Sequence, residues 1–283
     1  TAAPPLSPFV PLQPTGHRPP LICIHPGGGV LCYVELARRL GPDQPVYGIE
    51  SPLLHGSGAA GAGLAALAAG HVEILRRSGS GPYRLAGWSV GGVIAFEMAV
   101  QLVGAGERVA ELILFDSRAP SPPAAGLEPA EIAARFGLDL LGRRLPDPPF
   151  SYEEFRQLGA VERVRRILAA ARAAGVLAAD AGEEQVQRRL DVFDDTIRRV
   201  AGYAPTGYPG SLTLVRAQGS GGDGAGDPTL GWERLAERGV EVVWVPGDHY
   251  SLLEPPEVEL VADQVKRCLE RSADASHGES IPC

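Results

Sequence analysis

The chain has 283 residues, 45% of them hydrophobic, with 26 Lys and Arg against 34 Asp and Glu and a formal net charge of −8. That is enough apolar material for one full core and too acidic a balance for a nucleic-acid partner, and no apolar run is long enough to span a bilayer or serve as a signal peptide. The Cys at 23, 32, 268 and 283 lack paired spacing, and no Cys/His cluster has ligand spacing, so the chain reads as cytoplasmic, with reduced thiols and no metal site.

Residues 1–20 carry Pro at 4, 5, 8, 11, 14, 19 and 20. Such a segment stays extended and semi-rigid, and it is read as a linker from an upstream neighbour. Residues 21–24 form a short apolar strand that ends at His25 and opens into Pro26-Gly27-Gly28-Gly29. Glycines at a strand end leave backbone N–H groups bare, which makes Gly27 and Gly28 candidates to hold a developing oxyanion. A helix is expected over 33–40, a strand over 46–49 and a helix over 64–77. Between them His55 sits in a Gly-rich loop as a candidate site-lining residue, while His71, in an Ala/Leu helix, is read as a surface residue.

Residues 83–97 read as a strand that turns sharply into a helix at Ser89. In a chain with 36 Gly the bare pattern G-x-S-x-G is a weak signal. Its context makes it a nucleophile elbow: an apolar run closes on Ala86, and Val93, Phe96, Val100 and Val103 then fall near one helical face. Gly87 and Gly91 are small where strand and helix must approach. Ser89 is the expected nucleophile, and Val90, next in the chain, offers a backbone N–H to the oxyanion.

A nucleophilic Ser needs a base, and His249 lies where this architecture places one, in Pro246-Gly247-Asp248-His249-Tyr250 after the apolar strand 240–245. His17 and His277 fall in the Pro-rich lead-in and a polar tail and read as solvated. The acid has competing candidates. Asp116 ends the strand 111–115, whereas Asp223 and Asp227 follow the strand 211–216. The acid must be rigid and mostly buried to orient the imidazole, which favours Asp116. Asp223 lies in a run of Gly whose ordering would be entropically costly, and Asp beside Gly or Pro is ordinary turn chemistry.

From 118 to 205 the alternation of strand and helix stops, and helical stretches at 162–174 and 184–200 dominate. Ala and Leu with balanced Arg and acidic residues suggest amphipathic helices over an apolar trough, a lid whose charged face is read as solvated i,i+4 pairs in preference to a docking surface. A strand at 212, a helix at 232–237, a strand at 240 and a helix at 258–270 follow, and 272–283 reads as a disordered tail. The whole is α/β: a mostly parallel sheet covered by helices on both faces.

Residues 11–14, 20–29, Tyr33 with 35–40, 44–48, 81–89, 114–117, 231–232 and 246–249 together resemble the type I thioesterase domains that release products from non-ribosomal peptide synthetases, polyketide synthases and their hybrids. Trp88, just before the nucleophile, points toward this family and away from lipases. The resemblance implies an α/β-hydrolase fold over 21–271 with a helical lid at 118–205. It implies catalysis by Ser89, Asp116 and His249, an oxyanion hole from the N–H groups of Val90 and of Gly28 or Gly27, and a substrate wall including His25, Trp88 and His55. No resident cofactor is implied. The substrate is an acyl thioester on the 4′-phosphopantetheine arm of an upstream carrier domain, released by hydrolysis or macrocyclisation. The resemblance fades over the middle third, where the acyl chain would be selected. Rival readings are a carboxylesterase or lipase, a stand-alone editing thioesterase, against which the Pro-rich lead-in and the start at Thr1 weigh, and a non-catalytic carrier-docking module.

Overall fold

Seven strands form one sheet in the order β1-β3-β2-β4-β5-β6-β7. They are β1 (Phe9–Gln13), β2 (Leu21–Ile24), β3 (Val46–Ile49), β4 (Tyr83–Trp88), β5 (Val109–Phe115), β6 (Leu212–Ala217) and β7 (Val240–Val245). The computed structural model describes residues 7–57, 60–121, 127–141, 150–220 and 226–277, with residues 272–277 described as backbone alone. β1 runs antiparallel to β3 at the edge, and every other pairing is parallel.

Parallel strands need crossovers. α1 (Val34–Leu40), α2 (Leu64–Ser78) and α3 (Val90–Gly104) supply them on the way to β3, β4 and β5. Period-two alternation sends Ile22 and Ile24 to one face of the sheet and Leu21 and Cys23 to the other. The first face packs on α2 and α3 through Leu64, Leu75, Val93 and Phe96. The second packs on α1 and on α8 (Glu257–His277) through Leu36, Val261 and Val265. Burial on both faces is why residues 85–88 of β4 and the end of β5 read as unbroken apolar runs.

Between β5 and β6 lie α4 (Pro129–Leu141), α5 (Tyr152–Gln157), α6 (Ala160–Ala173) and α7 (Glu183–Ala201). They enclose a core of their own, with Phe136, Phe155, Ile167 and Phe193 buried. α7 also packs on α2 and α3. Its outer face carries the expected i,i+4 pairs, Arg188 with Glu184 and Arg198 with Asp194.

Three boundaries differ from the sequence expectation. Part of the segment read as linker is a strand: Phe9 stacks on Tyr47 at 4.9 Å, and the Gln13 amide donates to the carbonyls of Gly41 and Gln44 at 3.1 and 2.9 Å. Pro11 is tolerated there because an edge strand does not need every N–H. The expected helix at 232–237 is a single 3-10 turn, Trp232–Arg234. Its continuation is pulled away when the Glu237 and Arg238 N–H groups donate to Tyr208 and Gly210. Finally, α8 continues to His277, through the start of the expected tail. Residues 1–6 and 278–283 lie outside the described residues.

Candidate active site

The sharp turn from β4 to α3 puts Ser89 at φ 54° and ψ −125°, a sparsely populated conformation that costs about 1 to 3 kcal/mol. The flanking glycines make it possible. A Cβ on Gly87 would fall on the Gly91 backbone, and one on Gly91 would fall on the Ile24 carbonyl oxygen. The Ser89 N–H donates to the Phe115 carbonyl at 2.9 Å, tying the elbow to the end of β5.

Asp116 follows directly on β5, also at positive φ, 41°. Its N–H donates to the Val215 carbonyl at 2.8 Å, which anchors it between β5 and β6. The carboxylate is 8% exposed and accepts from His249 Nδ1 at 2.8 Å, the Ser220 hydroxyl at 2.7 Å and the Ala217 N–H at 3.4 Å. Burial pushes this carboxyl up. The hydrogen bonds from His249 and Ser220, the His249 charge and the Ala217 N–H outweigh it and hold the group below the usual aspartate range.

His249 reaches the site on a loop folded around Asp248, whose carboxylate accepts the N–H groups of Tyr250 and Ser251, each at 3.0 Å. The Trp88 indole N–H donates to the His249 carbonyl at 3.1 Å, and the two rings lie 5.0 Å apart. With Nδ1–H committed to Asp116, Nε2 is left as an acceptor, 3.1 Å from Ser89 Oγ. This chain of groups can take a proton from the Ser hydroxyl and return it to a leaving group.

The rival acid Asp227 does not join it. The Asp227 carboxylate accepts from the Thr229 N–H and hydroxyl and the Gly231 N–H at 2.8, 2.7 and 2.7 Å, which closes a turn. Asp223 lies outside the described residues.

One oxyanion candidate is already occupied. The Gly28 N–H donates to His25 Nδ1 at 3.0 Å, so it is withdrawn from any oxyanion. The Gly27 N–H makes no backbone hydrogen bond among the described residues. Val90 opens α3, where the leading N–H groups have no intrahelical acceptor.

A cavity of about 530 Å³ adjoins Ser89 and His249 and is lined also by Arg118, Leu230 and Tyr250 and, from the helical segment, by Arg135 of α4 and Val200 of α7. The three residues expected as its wall are not among the lining residues. Trp88 points to the α1 and α8 face and supports the His249 loop. His55 pairs with Glu50 at 3.0 Å. His25 is buried beneath the Gly run, its Nε2 against His71 Nε2 at 3.1 Å. His71 is therefore core, not surface. Its spacing from Leu64, Ala68 and Leu75 on the buried face of α2 was the available signal.

Sequence reasoning also missed Ser220, hidden in a Gly-rich run, and Tyr33. The Tyr33 hydroxyl accepts the Trp88 N–H and donates to the Ile24 carbonyl, both at 2.7 Å, pinning the ends of β4 and β2 together. A further acid, Asp139 of α4, lies near Tyr250 and His249. Burial pushes its carboxyl up to about 6, against the opposing pull of His249 and Arg135.

Residues 19–269 match the family model of the thioesterase domain, and the chain belongs to that family. It is 31% identical over 283 residues to chondramide synthase cmdD of Chondromyces crocatus, covering 95% of this chain and 7% of that protein. Among solved structures, holo-AB3403, a four-domain nonribosomal peptide synthetase bound to AMP and glycine, superposes with a TM-score of 0.83 at 28% identity, covering 98% of this chain and 20% of that one. The NocB thioesterase domain, in covalent complex with a fluorophosphonate nocardicin G analogue, matches with a TM-score of 0.64 at 29% identity, covering 92% of this chain and 98% of that one. Together these likenesses define an α/β-hydrolase fold. Among the described residues no helix is long and apolar enough to cross a membrane.

Proposed function

We propose that this thioesterase domain releases an acyl or peptidyl chain from the phosphopantetheine arm of a carrier domain through a Ser89 acyl-enzyme. His249 Nε2 takes the Ser89 proton as Oγ attacks the thioester carbonyl. The Val90 and Gly27 N–H groups hold the oxyanion. Collapse breaks the C–S bond, and the pantetheine sulfur leaves with the proton from His249. In the second half His249 deprotonates water, or a hydroxyl or amine of the acyl chain, which attacks the ester carbonyl and returns Ser89 to its hydroxyl. Asp116 keeps the imidazole in the required tautomer and stabilises the imidazolium.

The observation that carries this reading is the hydrogen-bonded series Ser89, His249, Asp116 beside a cavity, in a chain of the thioesterase family. The cavity is roofed in part by α4 and α7, so the segment 118–205 acts as a lid that selects the acyl chain and governs access of water. The setting proposed is a cytoplasmic megasynthase with the carrier domain upstream and the first residues of the chain as the connection.

The test compares a chain loaded on a carrier protein with the matching oxoester. Release from the carrier is expected to be the faster by a wide margin, with free acid or ring as product. Equal or better turnover of the oxoester would replace this reading with a carboxylesterase.

A further inference from the structure

His25, at the end of β2, and His71, on α2, are both fully buried, with their Nε2 atoms 3.1 Å apart. Neither lines the cavity beside Ser89. Their hydrogen bonds fix their protons by elimination. The Gly28 N–H can only donate, so His25 Nδ1 accepts and carries no proton. A neutral His25 then bears its proton on Nε2 and donates it to His71 Nε2, which leaves the His71 proton on Nδ1. That nitrogen has no hydrogen-bond partner among the described residues. Burial is the first cause that keeps both rings neutral, followed by His71 and then Arg199 for His25 and by Arg199 for His71. Arg199 is itself paired with Asp195 at 2.5 Å.

An unpartnered buried N–H is unfavourable. An apolar ring at position 71 would avoid it, but would also leave the His25 Nε2–H without an acceptor. The imidazole at 71 is thus explained by what it does for His25. The loop that His25 holds is gripped from α7 as well: a Cβ on Gly27 would meet Phe193 at 2.5 Å, and one on Gly28 would meet Val192 at 2.8 Å.

We infer that His71 is a positioning residue for the oxyanion loop, an inference that rests on the Ser89 chemistry proposed above. By accepting from His25 it orients that ring, the ring captures the Gly28 N–H, and residues 26–28 are set so that the Gly27 N–H is the loop donor offered to the oxyanion. Gly28 thus acts by being tied down.

The test uses the parent chain with His71→Phe, which keeps a ring and removes the acceptor, and His71→Gln, which restores a carbonyl acceptor. Two-bond ¹⁵N–¹H correlation spectra of the parent should show His25 protonated at Nε2 and His71 at Nδ1. His71→Phe should lower both kcat for thioester release and the rate of Ser89 phosphonylation by a small fluorophosphonate, roughly 10- to 100-fold, with KM nearly constant. His71→Gln should recover most of both rates. A purely structural role would lower the melting temperature of His71→Phe and leave the kcat of the folded protein unchanged, which would overturn the inference. A His71 protonated at Nε2 in the parent would overturn it too, and that reading stands even if His71→Phe does not fold. A parent that is not phosphonylated at Ser89 would instead bring down the acyl-enzyme reading on which the inference rests.

Discussion

His249 Nδ1 lies 2.8 Å from Asp116 Oδ2 across 133 positions of sequence, and the bond ties the loop after β7 to the end of β5. Asp116 is reached by strand geometry alone, since its N–H is held by Val215 of β6. The backbone of the acid is thereby anchored in the sheet independently of the loop that carries His249.

The first prediction follows from that bond. Asp116→Asn preserves size but lets the amide stabilise the wrong imidazole tautomer, so kcat should fall by up to about 10⁴. Asp227→Ala should stay within about tenfold, because Asp227 serves a turn. Steady-state kinetics on a thioester decide the ranking, and the reverse order would move the acid to the loop after β6.

Ser220→Ala removes the hydroxyl that donates to Asp116 at 2.7 Å. A hydrogen bond to a charged group contributes about 1.5 to 3 kcal/mol. The native Asp116 carboxyl is depressed, so its contribution to stability is present above the unfolded-state value and is lost as pH falls through the native one. Ser220→Ala should raise that carboxyl toward the ordinary range. Denaturant melts should then show a stability loss of that order at neutral pH that shrinks toward pH 2. A constant loss across this range would assign Ser220 a packing role.

The buried imidazoles predict a second pH dependence, of opposite origin. Burial, with Arg199 adding, lowers His71 from 6.5 to about 4. Between those values the unfolded chain binds a proton that the native protein does not, so stability rises with pH across that window and levels off above it. His71 accounts for about 3 kcal/mol of the change. His71→Gln should flatten melts recorded from pH 4 to 7 by this amount, the remaining slope including His25 in the same sense and Asp139, raised to about 6, in the opposite one. An unchanged slope would show that His71 is not the titrating group.

How much of this was legible in the sequence depends on the range of the contact that matters. Ser89 announced itself through local spacing, because Gly87 and Gly91 must be small for the strand and helix to touch. His249 and Asp116 were legible through chain order and strand ends. Ser220 was not, since its partner lies 104 positions away and its Gly-rich surroundings resemble a flexible turn. Gly28 looked like a free donor because nothing local shows that His25 folds back on it. The strand β1 was masked by prolines that would break a central strand but not an edge. His71 was the avoidable miss: it falls on the buried face of α2, and an Ala-rich helix offers little contrast between its faces.

The lid role proposed for 118–205 carries the fourth prediction. Arg135 and Val200 bring α4 and α7 to the cavity beside Ser89. Replacing 118–205 with the same segment of a relative should change the ratio of cyclic to linear product, while phosphonylation of Ser89 by a small fluorophosphonate stays nearly constant. A product ratio that follows the core would assign selectivity to the loops around Gly27 and His55.

The central claim is a covalent ester on Ser89, and intact-protein mass spectrometry with peptide mapping after exposure to an acyl thioester tests it most directly. The parent should gain the mass of one acyl group, mapped to the peptide bearing Ser89, and Ser89→Ala should gain none while keeping its fold by circular dichroism. An adduct that persists in Ser89→Ala, or that maps to Cys23, Cys32 or Cys268, would contradict the account.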